Sequence, residues 1–585
     1  MRGSPTAKLS FVLALGLSAS LGLIAATPAL AQSGGDQGPV PLLRLPMSPA
    51  DEPAASPAPT KGAPQGIEEE SLSGVGADAR GVLDPGSGGL GADLWAGTTR
   101  PVAERLVALL PGRSSAAGLD LARSLLLSTA RAPKNGPGHE GLLMAARVTA
   151  LWRLGDAEAA VRLSEVVPGT QEGPLARPAV EARLAAGQTE AACRLAGAAR
   201  RAEPFWQKLA AVCALAEGNE APANLALAVL REQGEDDPAF FALAERLAGL
   251  SVPLPDSLPA PSLLHGVLYR LLEAPLPEDA LGFAAPGWLL ALAAENPGLE
   301  PERRLAVAER AVAAGALAPA RLRTLYGMVE LSPEERQMAP EAVPATSRGR
   351  AILVQRAGAE TLPAPRAVLW EKALTAAAGS PAGDALAAAL EPELAELTAS
   401  IDLVWAAVPI AQGLYAAGRP DLGVTWFATA SSWTRARDTA RDAAARLLPY
   451  TRLAGQPSHW TPDALENWQT ATAHAPETAD HAAATLLALL ASVGQMPTAG
   501  DRLLTLSAER QPAEVPSALV LGDLARAAAA GRRGETVALA LIALGPEGGR
   551  AEPAVVATVI EALRKVGLEA AGRRLAIEAA RAAGA

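Results

Sequence analysis

Aromatic side chains are scarce. Phe, Trp and Tyr make up 3% of 585 residues, and cysteine occurs only twice. The β-branched and aromatic runs that mark strands are nearly missing, which disfavours a sandwich or barrel. Lysine and arginine form no basic block and the formal net charge is −11. The electrostatic footprint that nucleic-acid binding needs is therefore lacking. No G-x-x-x-x-G-K-[ST] phosphate loop, H-E-x-x-H zinc motif or G-x-S-x-G nucleophile elbow occurs. Beyond the first 31 residues, no run approaches the roughly 20 uninterrupted apolar residues that span a bilayer.

Hydrophobic residues nonetheless make up 49% of the chain, enough to bury substantial cores. Alanine and leucine carry most of that content, and both favour helices. The expected fold is all-α.

The N-terminus reads as an export signal. Arg2 and Lys8 supply positive charge, an apolar stretch runs from about Leu9 to Ala26, and Ala29-Leu30-Ala31 fits a small-x-small cleavage site before Gln32. The alternative is an uncleaved anchor, but the run is short and contains glycine. No cysteine follows it to carry a lipid. Residues 1–31 are thus expected to be removed, leaving an exported protein in the periplasm with no integral membrane segment. Residues 32–91 are rich in Pro, Gly, Ser and Ala and lack apolar periodicity over Pro49–Pro64, so a disordered linker is expected. Within it, Gly86-Ser87-Gly88-Gly89-Leu90-Gly91 matches G-x-G-x-x-G. No strand leads into it, so it reads as linker and not as a dinucleotide site.

From Asp93 onward apolar residues recur at helical spacing. After Pro204, Trp206, Leu209, Cys213 and Ala216 share a face; after Pro553, Val556, Val559, Ile560 and Leu563 do so. Helices repeatedly end in glycine and a new helix starts within a few residues. Glycines 155, 187 and 218 are 32 and 31 residues apart, and glycines 494, 531 and 567 are 37 and 36 apart. Gly418 and Gly315 mark similar junctions. Periods in the thirties with helix–turn–helix units point to an α-solenoid. The repeats resemble the tetratricopeptide (TPR) family, which has a period of about 34 residues, without its full tryptophan–leucine–glycine–tyrosine pattern. The predicted architecture is a TPR-like α-solenoid: an N-terminal array at 92–250, a proline-interrupted middle segment at 251–345 and a C-terminal array at 346–585.

Cys193 and Cys213 each lie ten residues from the turn at Glu203-Pro204. Residues equidistant from a helical turn come level across the hairpin, so a disulfide is favoured over two buried thiols. Two cysteines and five scattered histidines do not make a ligand set, and no metal or cofactor is expected. Glu235-Asp236-Asp237-Pro238, Ser332-Pro333 and Thr461-Pro462 read as helix openings, their carboxylates serving the positive helix end and not catalysis.

The proline-rich leader, Gly88-Gly89-Leu90 with Leu94-Trp95, Phe205-Trp206 with Cys213, and the stretch Arg303–Tyr326 resemble a group of uncharacterised exported proteins from alphaproteobacteria. Some of that group are called antifreeze glycopeptide-like. The resemblance implies a helical fold and no activity. Ice-binding peptides of that kind repeat Ala and Thr on one flat face, whereas threonine here follows no register.

Five tryptophans lie within 64 residues: Trp405, Trp426, Trp433, Trp460 and Trp468, with Arg437 among them. Aromatic residues and arginine are enriched at binding hot spots, so these six residues are the expected partner-binding set. The alternative is that the rings fill space in an alanine-lined core. The function expected is that of a non-catalytic envelope scaffold binding a protein or peptide. A role in peptidoglycan metabolism is the second reading and ice binding a third.

Overall fold

The computed structural model describes residues 76–134, 139–169, 173–197, 203–495 and 515–584. The expected signal peptide and residues 32–75 of the expected linker lie outside them. Among the described residues there are 27 α-helices and no strand; the single β-like feature is an isolated bridge between Leu83 and Ser128. No described helix is long and apolar enough to cross a membrane.

The junction glycines explain the turns. Helix Leu142–Leu154 ends at Gly155, whose φ is 103°, and helix Ala157–Glu165 starts after Asp156. The Asp156 N–H donates to Leu151 O at 3.0 Å and the Gly155 N–H to Trp152 O at 3.1 Å. This pair of bonds closes a helix with a left-handed residue. The Asp156 side chain then accepts from Ala159 N at 3.2 Å and opens the next helix. The same paired bonds recur at Gly187, Gly218, Gly418, Gly494, Gly531 and Gly567.

The described residues from 76 onward form one compact unit, so the segments expected at 92–250, 251–345 and 346–585 are not separate units there. Helix Ala116–Leu126 packs against Arg533–Leu544 and Glu569–Ala582. Main-chain donors stitch the seam: Gly534 N donates to Leu94 O at 2.9 Å, and Gly549 N donates to the Ser115 side-chain Oγ at 3.2 Å. In an open array the terminal repeats would need polar outer faces. Here helix Arg100–Ala108 also packs on Arg533–Leu544, so helices from early and late in the described chain cover one another.

The linker expected to run to residue 91 is corrected over 76–91. Asp78 is buried and accepts from Met144 N at 2.9 Å and Gly141 N at 3.2 Å, satisfying the start of helix Leu142–Leu154. Arg147, also buried, donates to Arg80 O, Leu126 O and Ser128 O at 2.7–2.8 Å. The segment is held by main-chain groups and one buried carboxylate. Apolar periodicity therefore carries no trace of its order.

Candidate functional site

One concavity among the described residues is a basin of about 1060 Å³. It is lined by the hairpin turns at Gly155-Asp156, Ala186-Gly187, Gly315-Ala316 and Ala417–Arg419. A turn ends in glycine and alanine, so little side chain stands between the basin and the main chain. Gly155 shows how tightly the turns meet: a Cβ there would lie 2.3 Å from the Cβ of Ala316.

Charge in the basin is mostly paired. Arg123 binds Asp156 at 2.5 Å and Asp120 at 3.0 Å, and Asp120 also takes Arg574 at 2.5 Å. Burial works to lower the pKa of Arg123, but Asp156 and Asp120 outweigh it and hold the pKa above the ordinary value. Arg419 pairs with Glu391 at 2.5 Å and Asp421 at 3.0 Å. Arg270 differs. Its guanidinium donates to the Thr189 hydroxyl at 2.8 Å and forms no ion pair among the described residues. Burial alone pulls its pKa down. A desolvated cation without a counter-ion is a recognised mark of a ligand site.

The six residues expected to form a partner-binding set do not share one surface. Trp426 and Trp468 are 1% and 0% exposed, and are corrected from contact residues to core. Their indoles fill space that alanine-rich neighbours leave. Trp405 and Trp433 are 42% and 43% exposed. Arg437 is exposed at the start of helix Asp438–Leu453, and Trp460 is half-buried with the Arg452 guanidinium 5.8 Å from its ring centre. Cys193 and Cys213 form a disulfide across helices Thr189–Gly197 and Pro204–Ala216, with Cα atoms 5.7 Å apart.

Asp237 opens helix Pro238–Leu247, accepting from Phe240 N at 3.1 Å. Burial would raise its carboxyl, but bonds from His265 and Lys208 hold it well below the usual carboxylate range. His265 Nδ1 accepts from Ser262 N at 3.1 Å and Nε2 faces Asp237 at 3.0 Å. Both ring nitrogens are occupied, so this Ser–His–Asp grouping is a helix cap and lacks a free base. Ser332 and Glu335 form the expected reciprocal cap, whereas the helix after Thr461-Pro462 begins only at Ala464. Among the described residues, no three His, Cys, Asp or Glu side chains are placed to hold a metal.

Sequence reasoning missed Arg270. It sits in the last turn of helix Leu263–Leu271, where a cation is ordinary, and only the approach of the Gly187 turn isolates it. The chain matches no protein-family model, no curated protein and no solved structure.

Proposed function

We propose that this chain is a non-catalytic scaffold or adaptor of the cell envelope, built from TPR-like hairpins, whose basin receives an extended segment of a protein partner. The observation that carries the reading is the convergence of turns between residues 155 and 419 on one basin of about 1060 Å³. That volume lies just above the roughly 300–1,000 Å³ of small-ligand pockets, which leaves room for a peptide segment. The glycine–alanine turns let a ligand's backbone come close, and the alternating charges suit a chain carrying both signs. Arg270 offers an uncompensated donor for an acidic group. The signal-like residues 1–31 favour export, and an exported compartment favours the Cys193–Cys213 disulfide.

The test is affinity capture from envelope extract with the chain starting at Gln32, against versions with the basin filled by Ala318→Trp or Ala417→Trp. A partner retained by the unaltered chain and lost by both filled versions is expected. Equal capture by all three removes the basin from the function. Glycan cleavage by the purified protein would overturn the non-catalytic reading.

A further inference from the structure

A second cavity, of about 300 Å³, shares no lining residue with the basin. Its walls come from the turn Ile401–Ala406 and from helices Pro363–Ala376, Ala407–Ala416 and Asp438–Leu453. Trp405 forms one wall. Its indole N–H donates to the Asp402 carbonyl at 3.0 Å, which fixes the ring while leaving it 42% exposed.

Arg446 forms the opposing chemistry. Its Nε is shut off from solvent without a hydrogen-bond partner, and it makes no ion pair among the described residues. Arg581, which also borders the cavity, is committed to Asp384 at 2.9 Å. Arg446 as a whole is half-buried in the cavity wall and has no carboxylate partner among the described residues, so its guanidinium is available to an acceptor brought from outside.

We propose that this cavity is a carboxylate-recognition site that takes the C-terminal residue of a peptide, its carboxylate on Arg446 and its side chain against Trp405. The planar guanidinium matches a carboxylate in geometry, and the indole offers a flat apolar face in the same cavity. The volume admits a residue or two and no folded element. Glu371 and Asp442 also line the walls, with Glu371 accepting from the Thr375 hydroxyl at 3.1 Å. Two carboxylates repel a multiply charged anion such as phosphate but can accept peptide N–H groups. A single terminal carboxylate followed by amides fits that pattern best. The site stands on Arg446 and Trp405 and does not depend on the basin.

The probe pair is N-acetyl-L-phenylalanine and N-acetyl-L-phenylalaninamide, titrated into the whole chain and followed by ligand-observed NMR. The acid is expected to bind saturably and the amide about tenfold more weakly, the equivalent of one charge-assisted contact. Arg446→Gln should bring the acid down to the amide's level. Trp405→Leu should weaken both compounds, and Arg435→Gln, an exposed residue outside the cavity lining, should change neither. Equal binding of acid and amide, full binding to Arg446→Gln, or no saturable binding of either compound overturns the proposal. Should Arg446→Gln fail to fold, the acid–amide comparison on the unaltered chain decides alone.

Discussion

The Glu578 carboxylate accepts the main-chain N–H of Ala117 at 2.8 Å, across 461 positions of sequence. Through it the last described helix satisfies an orphan donor at the start of helix Ala116–Leu126 and joins the two ends of the folded unit.

That bond makes the seam sensitive to pH. Burial pushes the Glu578 carboxyl up to about 7, against the lowering effect of Ser115 and Ala117; Asp384 raises it further and Arg574 lowers it. The folded chain therefore keeps a proton between about pH 4.5 and 7 that the unfolded chain has released. The stability this contributes is full below 4.5 and is lost as pH rises through 7. Denaturant titrations at pH 5 and pH 8 should differ by up to about 3 kcal/mol more in the unaltered chain than in Glu578→Gln. An identical pH slope in the two proteins would remove Glu578 as the cause.

Glu309 and Arg350 form a buried ion pair, with both carboxylate oxygens also engaged by the Tyr326 and Ser347 hydroxyls at 2.6 and 2.9 Å. Glu309→Leu alone leaves a guanidinium unpaired and is expected to cost about 3–5 kcal/mol. The double change Glu309→Leu with Arg350→Met should recover most of that loss. Chemical denaturation of the three proteins measures it, and additive losses would show that the pair is not coupled.

Gly155 and Gly418 both sit in the left-handed region, at φ 103° and 79°. A Cβ on Gly155 would collide with Ala316, whereas one on Gly418 meets nothing within 4 Å. Gly418→Ala should cost about 1–2 kcal/mol, the backbone penalty alone. Gly155→Ala should cost clearly more, because two turns must separate. Melting temperatures compared side by side test the order.

The Cys193–Cys213 disulfide closes a loop of 20 residues. On a chain-entropy argument its removal by Cys193→Ser with Cys213→Ser should cost about 3 kcal/mol. The difference should vanish when the unaltered protein is reduced before unfolding.

Arg270→Met removes a cation that the fold desolvates and does not pair. Stability should hold or rise by up to about 1 kcal/mol, while capture of a basin partner falls. A loss of stability with unchanged capture would mark Arg270 as a structural residue.

Much of this molecule is local and was readable from the chain. Proline at helix starts, as at Pro204 and Pro553, glycine at helix ends, and apolar residues at three and four specify helices, because capping and amphipathicity depend on neighbours a few positions away. The level placement of Cys193 and Cys213 is likewise a matter of counting turns within one hairpin. Which hairpins meet is another matter. Alanine faces are nearly interchangeable, so nothing in the sequence says that the turns at 155, 187, 315 and 417 line one basin, or that Glu578 reaches Ala117. It also does not say that Trp426 is core while Trp405 stands exposed. The isolation of Arg270 and Arg446 and the raised pKa of Glu578 arise from long-range packing. Burial and charge pairing are properties of an assembled environment, and only the tertiary structure creates that environment.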